Sequence, residues 1–387
     1  MAHEHPIQFA SPPNTQRTPP AHGGQQRVGK IRRPIGDPVA APKEPLRFET
    51  PPPAAGCNYH LPLEIIAPEA AASAAENKKL VFHCVGDTGG IHGDATQVAI
   101  AEAMEEQITK VDADKPAFLY HLGDVVYFNG ISRDYKWQFY EPYQYYPAPI
   151  FAVAGNHDGD TQVRRGDPPD PEPTLTGFMR NFCDRSPTAT SYRTTMTQPY
   201  VYWTLDTPVV TIIGLYSNVE GSLDPRGRAD QQIWLTDELR SAPAEKKLLV
   251  TVHHPCYSLD SVHGGCPDIL TAIDSAIVAA NRRPDAILSG HVHNYQRFSR
   301  EIDNTRMPYI VAGAGGYANT PQAMHHLQKI DTSKPYQTTH PDVRLEKSNQ
   351  KDPGFLTITT TGKDLTFDYY TVPFDGSAPK KFDSVTV

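Results

Sequence analysis

The sequence predicts an α/β sandwich. Two observations carry that reading: apolar runs of strand length alternate with helical stretches from Lys78 onward, and each of the first five runs ends at a polar cluster. LVFHCV (80–85), AFLYHL (117–122), IFAVA (150–154), LLVTV (248–252) and AILS (286–289) read as buried strands. The stretches 95–110, 231–240 and 268–281 show helical spacing, and repetition of strand, loop and helix puts functional residues on loops at the strand C-termini. A second set, YVYWTL (200–205), VVTIIGLY (209–216), YIVAGAG (309–315), FLTITTT (355–361) and LTFDYYTV (365–372), lacks long helical connections. It predicts a further, largely antiparallel sheet packed on the first.

A chain of 387 residues buries a core large enough to fold without a disulfide or a structural metal, so stability alone does not account for its metal-like residues. The formal charge of -8 argues against a general nucleic-acid or membrane-surface binder, which presents a basic face to a polyanion. No run is long enough to span a bilayer, and after Arg32 and Arg33 come Pro34, Gly36, Asp37 and Pro38 where an export signal needs an apolar region. The expectation is a soluble, cytoplasmic protein. Five scattered cysteines fit a reducing compartment; Cys256 and Cys266 flank one loop and either pair or stay free, with free thiols favoured.

Residues 1–75 read as a Pro-rich leader, disordered or held along the surface, because the segment has too little apolar surface to order itself. Residues 76–387 read as the folded domain. Within it, 159–173 and 317–353 have no periodicity of their own and read as lids or substrate-facing elements.

Taken in order, the strands end in GDTGG (Asp87), GDVVY (Asp124, Tyr127), GNHD (Asn156, His157), VHHP (His253, His254) and GHVH (His291, His293). Hard oxygen donors and imidazoles delivered to one sheet edge suit a pair of divalent or trivalent ions. One carboxylate can bridge both ions, and two cations lower the pKa of a water between them. Seven protein donors fill two coordination shells and leave positions for substrate oxygens. Each residue alone has a plainer reading: Asp after Gly caps a turn, and a Tyr beside Phe128 packs in a core. Five blocks in one order outweigh that reading for Asp87, Asp124, Asn156, His253, His291 and His293; for Tyr127, ligand and core residue both stay open. Gly89 and Gly90 serve the backbone, since no P-loop Lys follows them.

In order and type, the five blocks resemble the calcineurin-like metallophosphoesterase superfamily. Most of that superfamily reads DxH in the first block, whereas here Gly89 stands at the third position and Tyr127 enters through a GDxxY block. That exchange resembles the purple acid phosphatase branch, as do GDVVYFNG, GHVHNYQRF, QQIWL and YIVAGAGG. The resemblance covers roughly Leu80 to Tyr370 and implies a four-layer α/β/β/α sandwich of two mixed sheets. It implies Fe(III) held by Asp87, Tyr127, His293 and a bridging Asp124, and a divalent ion (Fe, Zn or Mn) held by Asp124, Asn156, His253 and His291. The split is chemically sensible, because phenolate favours a hard trivalent ion and a neutral amide oxygen a softer divalent one.

The resemblance further implies hydrolysis of small phosphomonoesters by in-line attack of a metal-bound hydroxide, with a protonated His donating to the leaving oxygen. His157, next to Asn156, and His263, on loop spacing alone, are the candidates. His254 either contacts substrate or a supporting group, or simply packs. His83, His92, His121, His325 and His326 match no block and are read as structural or exposed. A phosphodiesterase built on the same centre is the alternative, decided by the rim loops. A metal-binding scaffold recruiting partners through the Pro-rich leader is the non-enzymatic alternative. Neither nucleic acid nor a membrane is an expected partner, and the motifs do not specify an oligomeric state.

Overall fold

The computed structural model describes residues 34–39, 50–109, 114–163, 166–167, 172–219 and 222–387. Alternation along the strand Lys79–Val85 sets the layering, since successive side chains point to opposite faces. Leu80, Phe82 and Cys84 join Phe118, Tyr120 and Leu122 in a core shared with Trp203, Leu205, Ile212, Leu249 and Leu288 of a second sheet. On the outer side, Val85, Leu119 and Ile150 pack with Ile100, Ala101 and Met104 of the helix Ala95–Thr109. The second sheet turns Ile213, Leu215, Leu248, Val250 and Ile287 outward, against Leu235 and Leu239 of the helix Asp230–Ser241 and Ile269 and Ile273 of the helix Pro267–Ala280. The order is helix, sheet, sheet, helix.

Among the described residues the smaller sheet has six strands, in the order Lys380–Thr386, Leu365–Thr371, Gly354–Thr361, Lys79–Val85, Leu119–His121 and Ile150–Ala152. The larger has nine: His60–Pro62, Trp203–Asp206, Val210–Leu215, Lys247–Val252, Ala286–Ser289, Thr305–Ala312, Tyr295–Ile302, Val343–Asn349 and Tyr336–Gln337. Both are mixed. Lys79–Val85 runs parallel to Leu119–His121 and antiparallel to Gly354–Thr361. Lys247–Val252 is parallel to both its neighbours, while Thr305–Ala312 pairs antiparallel with Tyr295–Ile302.

The strands form where the apolar runs fall, but they sort differently from the expected parallel-type sheet and antiparallel partner. The runs at 80–85, 117–122 and 150–154 share a sheet with 355–361 and 365–372, whereas 248–252 and 286–289 lie in the other. Apolar alternation fixes which faces are buried and carries no information about the lateral neighbour.

The boundary expected at residue 75 also differs. His60–Pro62 pairs in parallel with Trp203–Asp206, the helix Pro68–Asn77 follows, and Leu61, Leu63, Ala71 and Ala74 enter the inter-sheet core. Pro38 O accepts the N–H groups of Ser258 and Gly265, on either side of His263. The rest of the leader expectation falls on residues 1–33 and 40–49, outside the described residues. The 317–353 insertion is partly sheet, since Val343–Asn349 pairs antiparallel with Tyr295–Ile302. All five cysteines are free thiols, and among the described residues no helix is long and apolar enough to cross a membrane.

His60 fastens the early strand to the fold, with Nδ1 2.8 Å from Asp206 Oδ2 and Nε2 3.0 Å from Glu238 Oε1. Asp206 and then Glu238 raise its imidazole from 6.5 to about 10 against the opposing effect of burial. A folded-state value above the unfolded one contributes stability that is full below about 6.5 and is lost as pH rises through about 10. The thermal midpoint of the wild type should therefore exceed that of H60Q at pH 6.5 and converge on it by pH 10; a gap that stays constant contradicts the assignment.

Candidate functional site

Five strands of the two sheets end at one place, and the loops leaving them are bent sharply there. Asp87, Asp124 and His291 have φ of 60°, 53° and 67°, a left-handed conformation that costs a non-glycine residue about 1–2 kcal/mol. The preceding glycines let the loops approach. A Cβ at Gly155 would overlap Asp124 Oδ1, and one at Gly290 would sit 2.6 Å from Asp87 Oδ2, which explains GN and GH in the motifs.

Two groups of donors result. In the first, the Tyr127 hydroxyl lies 3.2 Å from Asp87 Oδ1 and 3.2 Å from His293 Nε2, with His293 Nε2 3.6 Å from Asp87 Oδ1. In the second, Asn156 Oδ1 lies 3.1 Å from His253 Nε2 and 3.0 Å from His291 Nδ1, and His253 Nε2 is 3.4 Å from Asp124 Oδ2. Asp124 links the two groups: its carboxylate stands 3.4 Å from His253 Nε2 and is near enough to the Tyr127 hydroxyl to push that phenol upward. Ligands at about 2.1 Å from one ion and at right angles to one another stand about 3 Å apart, the spacing found in both groups.

The polarity of these contacts decides what they can hold. His253 Nδ1 donates to Leu122 O at 2.8 Å, so Nε2 is the nitrogen turned toward Asn156 and Asp124. A ring nitrogen, an amide oxygen and a carboxylate therefore face one another and require positive charge between them. Burial works against a charge on His253, yet Asp124 outweighs it and raises the imidazole to about 10. Burial raises the Asp87 carboxyl well above its ordinary range, with Asp124 beside it adding to the effect. At Asp124 burial pushes upward too, but His253 and His157 outweigh it and hold the carboxyl low. Burial, Asp124 and Asp87 push the Tyr127 phenol upward, so it stays a donor unless a cation stabilises its anion. The donor set fits metal ions, and Asp124, His253 and His291 by themselves form a group able to hold one.

Buried side chains brace the loops. Asp158 accepts from Gly155 N (2.8 Å), Val125 N (3.1 Å) and Val126 N (3.3 Å), tying the GNHD loop to the GDVVY loop. Burial, and then Asp124, raise its carboxyl to about 7. Gln138 clamps the Tyr127 backbone, accepting from its N–H at 2.8 Å and donating to its carbonyl at 2.6 Å. Tyr127 is both core residue and site residue: it is fully buried, and its hydroxyl points into the first donor group.

The three remaining imidazoles flank the donors. His157 Nδ1 donates to Phe128 O at 2.7 Å, and its ring lies 4.5 Å from that of Tyr127. His254 is buried, with Nδ1 2.7 Å from Ser217 Oγ and its ring 4.5 Å from His291. His263 meets His291 edge-on at 5.3 Å. His83 bonds to Tyr146 and Gln107 away from these groups, and His121 holds Thr88 and Gly123 N, both structural roles. His325 departs from its expected place: its ring stacks 4.0 Å from His293. The insertion also brings Tyr317 to 4.1 Å from Tyr127. Neither residue belongs to a strand-end block, so nothing in the local sequence marks it. Asp260 was likewise missed, although Asp three residues before His263 is the pattern of a side-chain-capped turn.

Removing the Asp158 carboxylate would leave three buried N–H groups without acceptors, each costing about 1–3 kcal/mol. D158A should lose about 3 kcal/mol or more in chemical denaturation; a loss under about 1 kcal/mol means the loops do not depend on this brace.

A family model described as Calcineurin-like phosphoesterase matches residues 80–295. Purple acid phosphatase 21 of Arabidopsis thaliana is 32% identical over 113 residues, 27% of this chain and 25% of that protein, and purple acid phosphatase 22 is 32% identical over 115 residues, 26% of its length. The chain thus matches about a quarter of the length of these curated relatives. Among solved structures, purple acid phosphatase PPD1 from yellow lupin (Lupinus luteus) seeds superposes with a TM-score of 0.56 at 17% identity, over 81% of this chain and 54% of that one. GAP50, the anchor in the inner membrane complex of Plasmodium, superposes with a TM-score of 0.52 at 15% identity, over 78% of this chain and 88% of that one. At such identities the two structures speak for the fold alone, while the family model spans more than half of the sequence and all five strand-end blocks. The chain belongs to the calcineurin-like phosphoesterase family, with a likeness to its purple acid phosphatases.

Proposed function

We propose that this chain hydrolyses phosphomonoesters with two metal ions, in the manner of an acid phosphatase. The observation that carries the reading is the pair of donor groups joined at Asp124, an arrangement that stability does not require and that a scaffold has no use for. Asp87, Tyr127 and His293 would hold one ion, Asn156, His253 and His291 the other, and Asp124 would bridge them. The phenol favours Fe(III) at the first position, and the amide oxygen favours a divalent Fe, Zn or Mn at the second. When bound, such a pair neutralises phosphoryl oxygens and lowers the pKa of water.

The chain's own residues would then orient the ester and manage its protons. His157 stands on the Tyr127 side with Nδ1 committed to Phe128 O, which leaves Nε2 for substrate. His263 stands on the His291 side, so either imidazole is placed to donate a proton to a leaving oxygen. His254, held by Ser217 against His291, would fix that ligand ring. Crowding by Tyr317 and His325 over the first donor group supports a monoester, since a diester brings a second organic group to the rim.

With metal supplied, an aryl phosphomonoester should be turned over faster than its matching diester. D124N should lower kcat on the order of 10³-fold or more, because several kcal/mol of transition-state stabilisation pass through both ions. Equal or greater diester turnover would assign a phosphodiesterase, and full activity in D124N would remove the dinuclear reading. Y127F should lose visible absorption arising from a phenolate on Fe(III) while keeping its fold; an unchanged spectrum makes Tyr127 a core residue only.

A further inference from the structure

Asp260, beside the donors, is left unused by this reading. Asp260 is 1% exposed, and its Oδ1 accepts the backbone N–H of Val262 at 2.8 Å and of His263 at 2.5 Å while standing 3.4 Å from His263 Nδ1. The His263 ring stacks on His325 at 4.3 Å and 11°, and His325 in turn stacks on His293 at 4.0 Å and 19°. His325 cannot drift. Its Nδ1 accepts His293 N–H at 3.0 Å, its own N–H donates to His293 O at 3.1 Å, and its carbonyl accepts from Asn294 Nδ2 at 3.0 Å. A bridge between Asp260 and Leu327, with Ser261 N–H on His326 O at 2.8 Å, zips the His263 loop to the His325 segment.

Asp260, His263 and His325 place one ligating atom each within 4.8 Å of one another, a spacing open to a third cation. Ring geometry argues against that use. An imidazole lone pair lies in its ring plane, and two rings 11° from parallel and 4.3 Å apart send their lone pairs side by side, not to a common point about 2.0–2.1 Å from both.

We propose that Asp260 and His325 are positioning residues for His263. Asp260 takes the Nδ1 side of the ring, which leaves Nε2 on the opposite edge as the nitrogen that meets substrate, and His325 fixes the plane of the ring beside the donors. This rests on the phosphoester-hydrolysis reading above. As a hydroxide oxygen derived from water bonds to phosphorus in line, the bond from phosphorus to the leaving oxygen breaks, its electron pair stays on that oxygen, and the proton on His263 Nε2 passes to it. Nδ1 keeps its own proton toward Asp260 throughout.

The test is a leaving-group series. Metal-loaded wild type, D260N, D260E, H263A, D260N/H263A and H325A are compared on nitrophenyl, phenyl and alkyl phosphates, in order of rising leaving-group basicity, with metal content measured in each. The amide oxygen that D260N introduces can still accept the two backbone N–H groups, so this variant removes the charge and spares the turn. D260N should lose less than about tenfold in kcat on the nitrophenyl ester and on the order of 10²-fold on the alkyl ester, with KM and metal content near wild type. The double variant should lose no more than H263A, D260E should recover part of the alkyl rate, and H325A should show the same gradient at smaller size. A loss uniform across the series, or additive effects in the double variant, overturns the positioning role even if the wild type is a phosphatase. Wild type inactive on all three esters would instead refute the hydrolytic reading, and this proposal with it.

Discussion

Buried carboxylate, amide and imidazole atoms that face one another and call for positive charge between them, a proton on His253 or a metal ion, dominate the centre of this molecule. The Asn156 amide oxygen looks at the nitrogens of two imidazoles, one of which also faces the buried Asp124 carboxylate. A folded chain avoids such an arrangement unless a cation completes it, because each buried acceptor without a donor costs free energy. Everything around the centre serves to keep it assembled. Three residues sit in left-handed backbone, glycines allow loops to touch, and Asp158 and Gln138 supply the hydrogen bonds that hold the bent segments in place.

The two-sheet architecture makes this possible. Strands of both sheets deliver their C-terminal ends to one edge, so donors separated by as many as 206 positions, from Asp87 to His293, meet without any long unsupported loop. The packed layers behind them, from Phe82 and Trp203 in the middle to Met104 and Ile273 on the outside, supply the stability that the strained loops draw on. The same fold serves as an anchor in GAP50, so the argument for chemistry lies in the donors, not in the layers.

What the sequence made legible was whatever depends on short-range pattern. The apolar runs fall where strands form, and the strand-end blocks contain all seven residues of the two donor groups. Lateral order of the strands was not legible, because a residue buried on both faces, such as those of Lys79–Val85, does not reveal which strand lies beside it. Residues 50–75 were misread for a related reason: Leu61, Leu63, Ala71 and Ala74 are too few to suggest a core, and they become one only against Trp203 and Leu205. His325 was missed because its partner His293 lies on another loop, and Asp260 because its short spacing to His263 marks a capped turn without connecting that turn to the strand ends.

Metal stoichiometry tests the central claim most directly. Purified chain equilibrated with iron and a divalent metal, then freed of loose ions, is assayed by plasma mass spectrometry beside H291A, which breaks the Asn156 group and spares Asp87, Tyr127 and His293. The account predicts two ions per wild-type chain and about one per H291A chain. One ion or none in the wild type, or the same count in both, would contradict it.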